Sequence, residues 1–178
     1  MRAYHYNMEN KNPMREIKLY KVTLNIGVGE PGEKLQSIKK LLEGISGTKA
    51  VETITKKRIP EWEIRPGLAI GVKTTIMGKK ADEILSRMLS AVENKLKASN
   101  FDKRGNFAFG VSEYVHIPGA KYDYTVGIVG ISISVTLERR GFSISRKRLK
   151  RHIGKRHLIT REEAMEFVRN KYRTEVLN

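Results

Sequence analysis

Residues 129–137 read Val-Gly-Ile-Ser-Ile-Ser-Val-Thr-Leu. Ile131, Ile133, Val135 and Leu137 fall on one side of this stretch, and Ser132, Ser134 and Thr136 on the other. A period of two is that of an extended strand whose side chains point alternately to opposite faces of a sheet. The same pattern recurs twice. In residues 17–27, Val22, Leu24 and Ile26 alternate with Lys21, Thr23 and Asn25. In residues 68–77, Ile70, Val72, Thr74 and Ile76 alternate with Gly71, Lys73 and Thr75. Each segment is apolar on one face and small or hydrogen-bonding on the other, the signature of a sheet with one covered and one open face.

The cover comes from segments with helical spacing. Leu35, Ile38, Leu41, Leu42 and Ile45 recur at helical intervals, and Gly47 is placed to end that helix. A helix from about Lys80 to Lys97, the longest expected, carries Ile84, Leu85, Met88, Leu89, Val92 and Leu96 as its buried stripe. Residues 50–57 form a shorter strand, and a further strand is expected at 111–117 after a loop at 101–110 rich in glycine and aromatics. A long connection, Arg58 to Gly67, holds two prolines and the only Trp. Thr160-Arg161-Glu162-Glu163 has the spacing of a capping box and opens a last short helix to about Arg173. Residues 1–178 thus read as a single domain, with a loosely ordered arm at 1–15 and a basic segment plus short helix at 139–178.

Charge points to the partner. The chain of 178 residues carries a net charge of +16. Arg139 to His157 holds nine Lys or Arg, two His and no acid. Like charges repel, so such a block is ordered where an anion screens it, and a nucleic-acid backbone is the large anion that gains counterion entropy on neutralisation. A solvated tail or an address signal is the bland alternative, but +7 remains without the block's nine charges. The body is therefore basic too, and its open face is poor in acids, which lets a phosphate-bearing surface approach. There is no Cys, which excludes disulfides and thiolate zinc sites. No apolar run approaches the roughly 20 residues of a membrane span, and the N-terminal residues lack the apolar centre of a secretory signal. The expectation is a soluble intracellular protein with no membrane partner.

Other motifs in the chain point to competing chemistry. Gly27-Val28-Gly29-Glu30-Pro31-Gly32 fits the dinucleotide-binding spacing, with Glu52 twenty residues on. Yet a first strand of that fold is buried on both faces, whereas this one alternates, and Pro31 removes an amide donor from the cradle. Arg104 to Phe109 resembles an RNA-recognition-motif signature out of register, so its aromatics are expected to anchor their own loop. His5, His116, His152 and His157 show no metal-ligand spacing, and no nucleophile motif is present. No enzyme activity, cofactor or metal is expected. A dinucleotide-dependent enzyme and a module for duplex DNA remain as rivals.

With these segments laid out, the chain resembles the universal L5 family of large-subunit ribosomal proteins. The resemblance is carried by Asn-Pro-Met-Arg at 12–15, Val-Thr-Leu-Asn-Ile-Gly-Val-Gly-Glu at 22–30, Ile-Ser-Gly-Thr-Lys at 45–49 and Ile-Arg-Pro-Gly at 64–67. It continues through Gly-Asn-Phe-Ala-Phe-Gly-Val-Ser-Glu at 105–113, the strand at 129–137, Gly-Phe-Ser-Ile at 141–144 and Ile-Thr-Arg-Glu-Glu-Ala-Met at 159–165. The short N-terminal stub and the basic block look like the archaeal and eukaryotic branch, so bacterial contacts at either end do not transfer.

The resemblance implies an α+β fold, with a mostly antiparallel sheet covered by helices on one face. It implies a structural role on the cytoplasmic ribosome, in the central protuberance, with 5S ribosomal RNA, large-subunit RNA, P-site tRNA and neighbouring ribosomal proteins, including those of the small-subunit head, as partners. It implies that Asn25 and Thr75 hydrogen-bond to 5S RNA. A family Gln after the first helix is Thr48 here, a departure at a contact position. The 58–67 loop corresponds to one that reaches the elbow of P-site tRNA, where Trp62 could stack and Arg58 or Arg65 pair with phosphate; Trp62 folded back on its own sheet is the alternative. Thr23 lies on the same open face as Asn25 and Thr75, and Lys21, Lys49, Lys73, Arg146, Lys147, Arg148, Lys150 and Arg151 are expected to supply phosphate contacts.

Overall fold

The computed structural model describes residues 12–120, 122–149 and 152–177. Residues 1–11, Lys150 and Arg151 lie outside that set, so the expected contacts of Lys150 and Arg151 and most of the N-terminal arm do too. The elements are β1 (Ile17–Gly27), α1 (Glu33–Ser46), β2 (Val51–Ile54), β3 (Ala69–Met77), α2 (Lys79–Ser90), β4 (Lys95–Lys97), β5 (Phe107–Val111), β6 (Ile131–Arg139), α3 (Arg161–Tyr172) and β7 (Glu175–Leu177). Five strands form one sheet in the order β2-β3-β1-β6-β5, every pairing antiparallel. The fold is α+β, as the sequence indicates.

The alternation read from the sequence is the physical division of this sheet. Val22, Leu24, Ile26, Val72, Ile76, Ile133, Val135 and Leu137 are all buried on the inner face. Against them lie Leu35, Ile38, Leu42 and Ile45 of α1 and Ala81, Ile84, Leu85, Met88 and Leu89 of α2, in one continuous core. Burying each large side chain is worth roughly 1.5–3 kcal/mol, so the inner face fixes the register of β1, β3 and β6. Gly47 ends α1 in the left-handed region (φ 59°), and its N–H donates to the Glu43 carbonyl at 2.8 Å. At α3, Thr160 accepts from the Glu163 N–H while the Glu163 carboxylate accepts from the Thr160 N–H, the reciprocal cap expected from the sequence.

Three expectations are corrected. The helix read as Lys80–Lys97 stops at Ser90, so α1, with 14 residues, is the longest of the described helices. Glu93 and Asn94 turn through positive φ, and Lys95–Lys97 becomes β4, paired in parallel with β7. Leu96 is buried as the stripe required, but by a strand whose partner lies some eighty residues away: a tertiary pairing overrides the local helical period. The strand expected at 111–117 is β5 at Phe107–Val111, so the supposed loop at 101–110 contributes most of a strand, and Tyr114–His116 is a 3-10 turn. Phe107, Phe109 and Val111 point into the core, and Phe101 and Phe107 stack at 5.0 Å. The strand expected over 50–57 is shorter, Val51–Ile54.

Candidate nucleic-acid interface

The open face is a regular grid. One row runs Val51, Lys73, Asn25, Ser132 and Gly110 across β2, β3, β1, β6 and β5, each residue directly opposite the next. The row beside it is Thr75, Thr23, Ser134 and Ala108. Asn25, Lys73, Thr75, Ser132 and Ser134 are exposed, and Thr23 half-buried. Among the described residues these six side chains spend no hydrogen bond or ion pair within the protein. Side chains of adjacent strands lie roughly 5 Å apart, so the six form one patch of amide, hydroxyl and ammonium groups with capacity in reserve.

Lys21 continues the patch toward Tyr20, its ammonium 5.8 Å from the ring centre. Lys49 is exposed beside β2. Thr48 does not join the patch. Its hydroxyl lies 3.0 Å from that of Thr74, which is buried, and 3.2 Å from that of Ser46. It braces the end of α1 against β3.

The 58–67 connection is a separate projection. Ile59 and Ile64 bridge its base, and Pro60–Trp62 forms a 3-10 turn at its tip. Trp62 is 68% exposed, which rules out the folded-back alternative; Arg58 and Arg65 are exposed and line one cleft with Pro60, Glu63, Ile64 and Leu68. The Gly27–Gly32 turn does not present a phosphate cradle: the N–H groups of Val28 and Gly29 both donate to the Ile70 carbonyl, at 2.9 and 3.0 Å.

The basic segment is fastened at both feet. At its start, Arg146 is paired with Glu138 and lies 4.1 Å over the Tyr20 ring. The Glu138 carboxylate holds this guanidinium above its ordinary pKa range. At its end, the buried Arg139 donates to the carbonyls of His157 and Leu158 and pairs with Glu163 at 2.7 Å. His157 Nε2 lies 2.8 Å from the Arg140 carbonyl. Arg148 is exposed between these feet, and Lys147 is exposed with engagements of its own. Among the described residues no group of His, Asp or Glu is arranged to hold a metal ion, and no helix is long and apolar enough to cross a membrane.

Sequence reasoning placed Asn25, Thr23, Lys73 and Thr75 on one face, and the sheet brings them together. It left Ser132 and Ser134 out of the candidate site although their alternation was plain. It missed Tyr20 and Glu138 because their meeting with Arg146 depends on a β-bulge: Leu19 faces Leu137 and Lys21 faces Thr136, which leaves Tyr20 as the extra residue.

Comparison with known proteins joins this geometry to a lineage. A family model described as "Ribosomal protein L5" matches residues 12–65, and the model of that ribosomal family's C-terminus matches residues 69–167. The chain is 49% identical to the large ribosomal subunit protein uL5 of Sulfurisphaera tokodaii over 168 residues, 93% of this chain and 95% of the relative. It is 47% identical to that of Nanoarchaeum equitans, over 94% of this chain and 99% of the relative. The protein of the same name from Methanococcus vannielii is 45% identical, over 94% of each chain. The two models and these relatives span nearly all of the sheet, its helical cover and the basic segment, and the chain belongs to the L5 family of large-subunit ribosomal proteins.

Proposed function

We propose that this chain binds 5S ribosomal RNA on the open face of its sheet and helps to attach that RNA in the central protuberance. As a large-subunit ribosomal protein it is a structural constituent of the ribosome, not an enzyme. The observation that carries the finer reading is the patch of Thr23, Asn25, Lys73, Thr75, Ser132 and Ser134, whose bonding capacity is unspent within the protein. Exposed polar side chains on a rigid sheet suit a folded RNA, which is read by shape, phosphate and ribose hydroxyl contacts. Lys21, Lys73 and the basic segment supply phosphate attraction, and Asn25 and Thr75 fix register. Binding of a 5S RNA transcript, compared with duplex RNA of equal length, tests it: a preference for 5S RNA that Asn25→Ala reduces is the expected result, and equal affinity of the unaltered protein for both RNAs contradicts it.

The 58–67 loop supports a contact with P-site tRNA. Trp62 stands exposed at its tip with Arg58 and Arg65 beside it, the pairing of ring and guanidinium that stacks on and neutralises RNA. Since Trp62 is the only Trp of this chain, its fluorescence in a complex of this protein with 5S RNA, free of other ribosomal proteins, reports an approaching tRNA without background. Quenching on addition of tRNA is expected.

A further inference from the structure

Glu138 is anomalous. It continues the outward series Ser132, Ser134 and Thr136 along β6, and it is the acid that the strands of this otherwise neutral and cationic face carry. A carboxylate beside a phosphate-binding surface repels the ligand. Its geometry offers a reason for its presence. It pairs with Arg146, and the same guanidinium lies 4.1 Å over the ring of Tyr20, the residue that the β1 bulge turns out of register.

We infer that Glu138 and Tyr20 form a dock for Arg146 that sets the basic segment against the edge of the RNA-binding face, so that all three are positioning residues and Arg146 is not a phosphate contact. The ion pair takes the edge of the guanidinium and the ring takes its face, which leaves few donors for an oxygen outside. With His157 fastened to Arg140 at the far end, the segment that carries Lys147 and Arg148 is tied at both ends to the end of β6. Ordering that precedes binding is not charged against affinity when RNA arrives.

The inference rests on the open face being the RNA surface, and it predicts the reverse of simple electrostatics: removing a negative charge from that surface weakens RNA binding. The test measures affinity for a 5S RNA transcript across a range of salt. Glu138→Gln and Tyr20→Leu are each expected to weaken binding roughly fivefold, the scale of one lost cation–π or dock contact. The salt slope is expected to stay unchanged, because no phosphate contact is lost. Tyr20→Phe keeps the ring and is expected to bind like the unaltered protein. Glu138→Gln combined with Arg146→Gln is expected to be no weaker than either alone.

Tighter binding by Glu138→Gln, with a slope steeper by roughly 0.7–0.9, would overturn the inference, because Glu138 would then be a competitor that keeps Arg146 from phosphate. Unchanged affinity would overturn it as well. Thermal melting accompanies each variant; if Tyr20→Leu lowers the melting temperature, the Glu138 variant decides. If Asn25→Ala weakens 5S binding while the dock variants do not, the dock alone is wrong. If Asn25→Ala is also without effect, the open-face reading fails and takes the dock with it.

Discussion

Asn25 of β1 lies directly opposite Lys73 of β3 on the open face, and both side chains are exposed and unpartnered. A neutral amide and a cation thus sit side by side with different work available to them. The amide offers directional donors and an acceptor, whereas the ammonium offers charge with little directional demand. Asn25→Ala is therefore expected to weaken binding to 5S RNA roughly tenfold, to leave binding to unrelated duplex RNA unchanged and to leave the salt slope intact. Filter binding with both RNAs checks this, and equal losses on the two would remove Asn25 from the specificity contacts.

Lys73→Gln is expected to show the complementary behaviour. Affinity for 5S RNA and for duplex RNA should fall together, and the slope of log affinity against log salt should flatten by roughly 0.7–0.9, the yield of one phosphate contact. Arg148→Gln, in the basic segment between its two fastened feet, is expected to flatten it by a similar amount. Titrations at several salt concentrations give the slopes; a Lys73 variant that loses affinity on 5S RNA alone would mean that Lys73 reads a base.

Legibility in the sequence followed the range of the forces involved. The inner and outer faces of β1, β3 and β6, the stripe of α1 and the Thr160 cap are local patterns, and each was readable because burial enforces its period. β5 was harder. Phe107, Phe109 and Val111 do alternate, but Ala108 and Gly110 between them are poor strand formers, so the segment resembled a loop. The end of α2 was not readable at all, because Val92 and Leu96 continue its spacing while β7, far along the chain, claims β4. The site divided in the same way. Asn25, Thr23, Lys73 and Thr75 followed from alternation, whereas the withdrawal of Thr48 to Thr74 and of Arg146 to Glu138 follows from contacts between distant segments.

Gly105 ties the turn before β5 to the approach to α3. Its φ is +77°, and an added Cβ would lie 2.5 Å from Ile159 Cγ2 and 3.0 Å from Ile159 Cβ. Ile159 is itself buried, so it has little room to withdraw. Gly105→Ala combines left-handed strain with overpacking and is expected to cost about 2–4 kcal/mol of stability. Urea denaturation followed by circular dichroism measures this; a loss below about 0.5 kcal/mol would show that the turn and Ile159 can shift apart freely.

Glu163 should make stability depend on pH. Burial pushes its carboxyl upward, but the Thr160 N–H and the Arg139 guanidinium outweigh burial and hold it below the ordinary carboxylate range. Arg139, with a side chain only 4% exposed, depends on this one carboxylate for its charge partner, while Glu163 itself is 31% exposed. A carboxyl whose pKa is lower in the folded chain binds its proton more weakly there than in the unfolded chain. Its contribution is therefore complete above the unfolded value, roughly 4.3, and is lost as pH falls through the folded value. Glu163→Gln leaves the Arg139 charge uncompensated and is expected to cost about 2 kcal/mol at pH 7, a figure reduced from that of a fully buried pair because water screens the carboxylate. Below about pH 4 the difference from the unaltered protein should shrink, since protonation of Glu163 then makes the two chains electrically alike. Urea midpoints at pH 7, 5 and 3 test the sign; a difference that grows toward acid would show that the Arg139–Glu163 pair does not stabilise the fold.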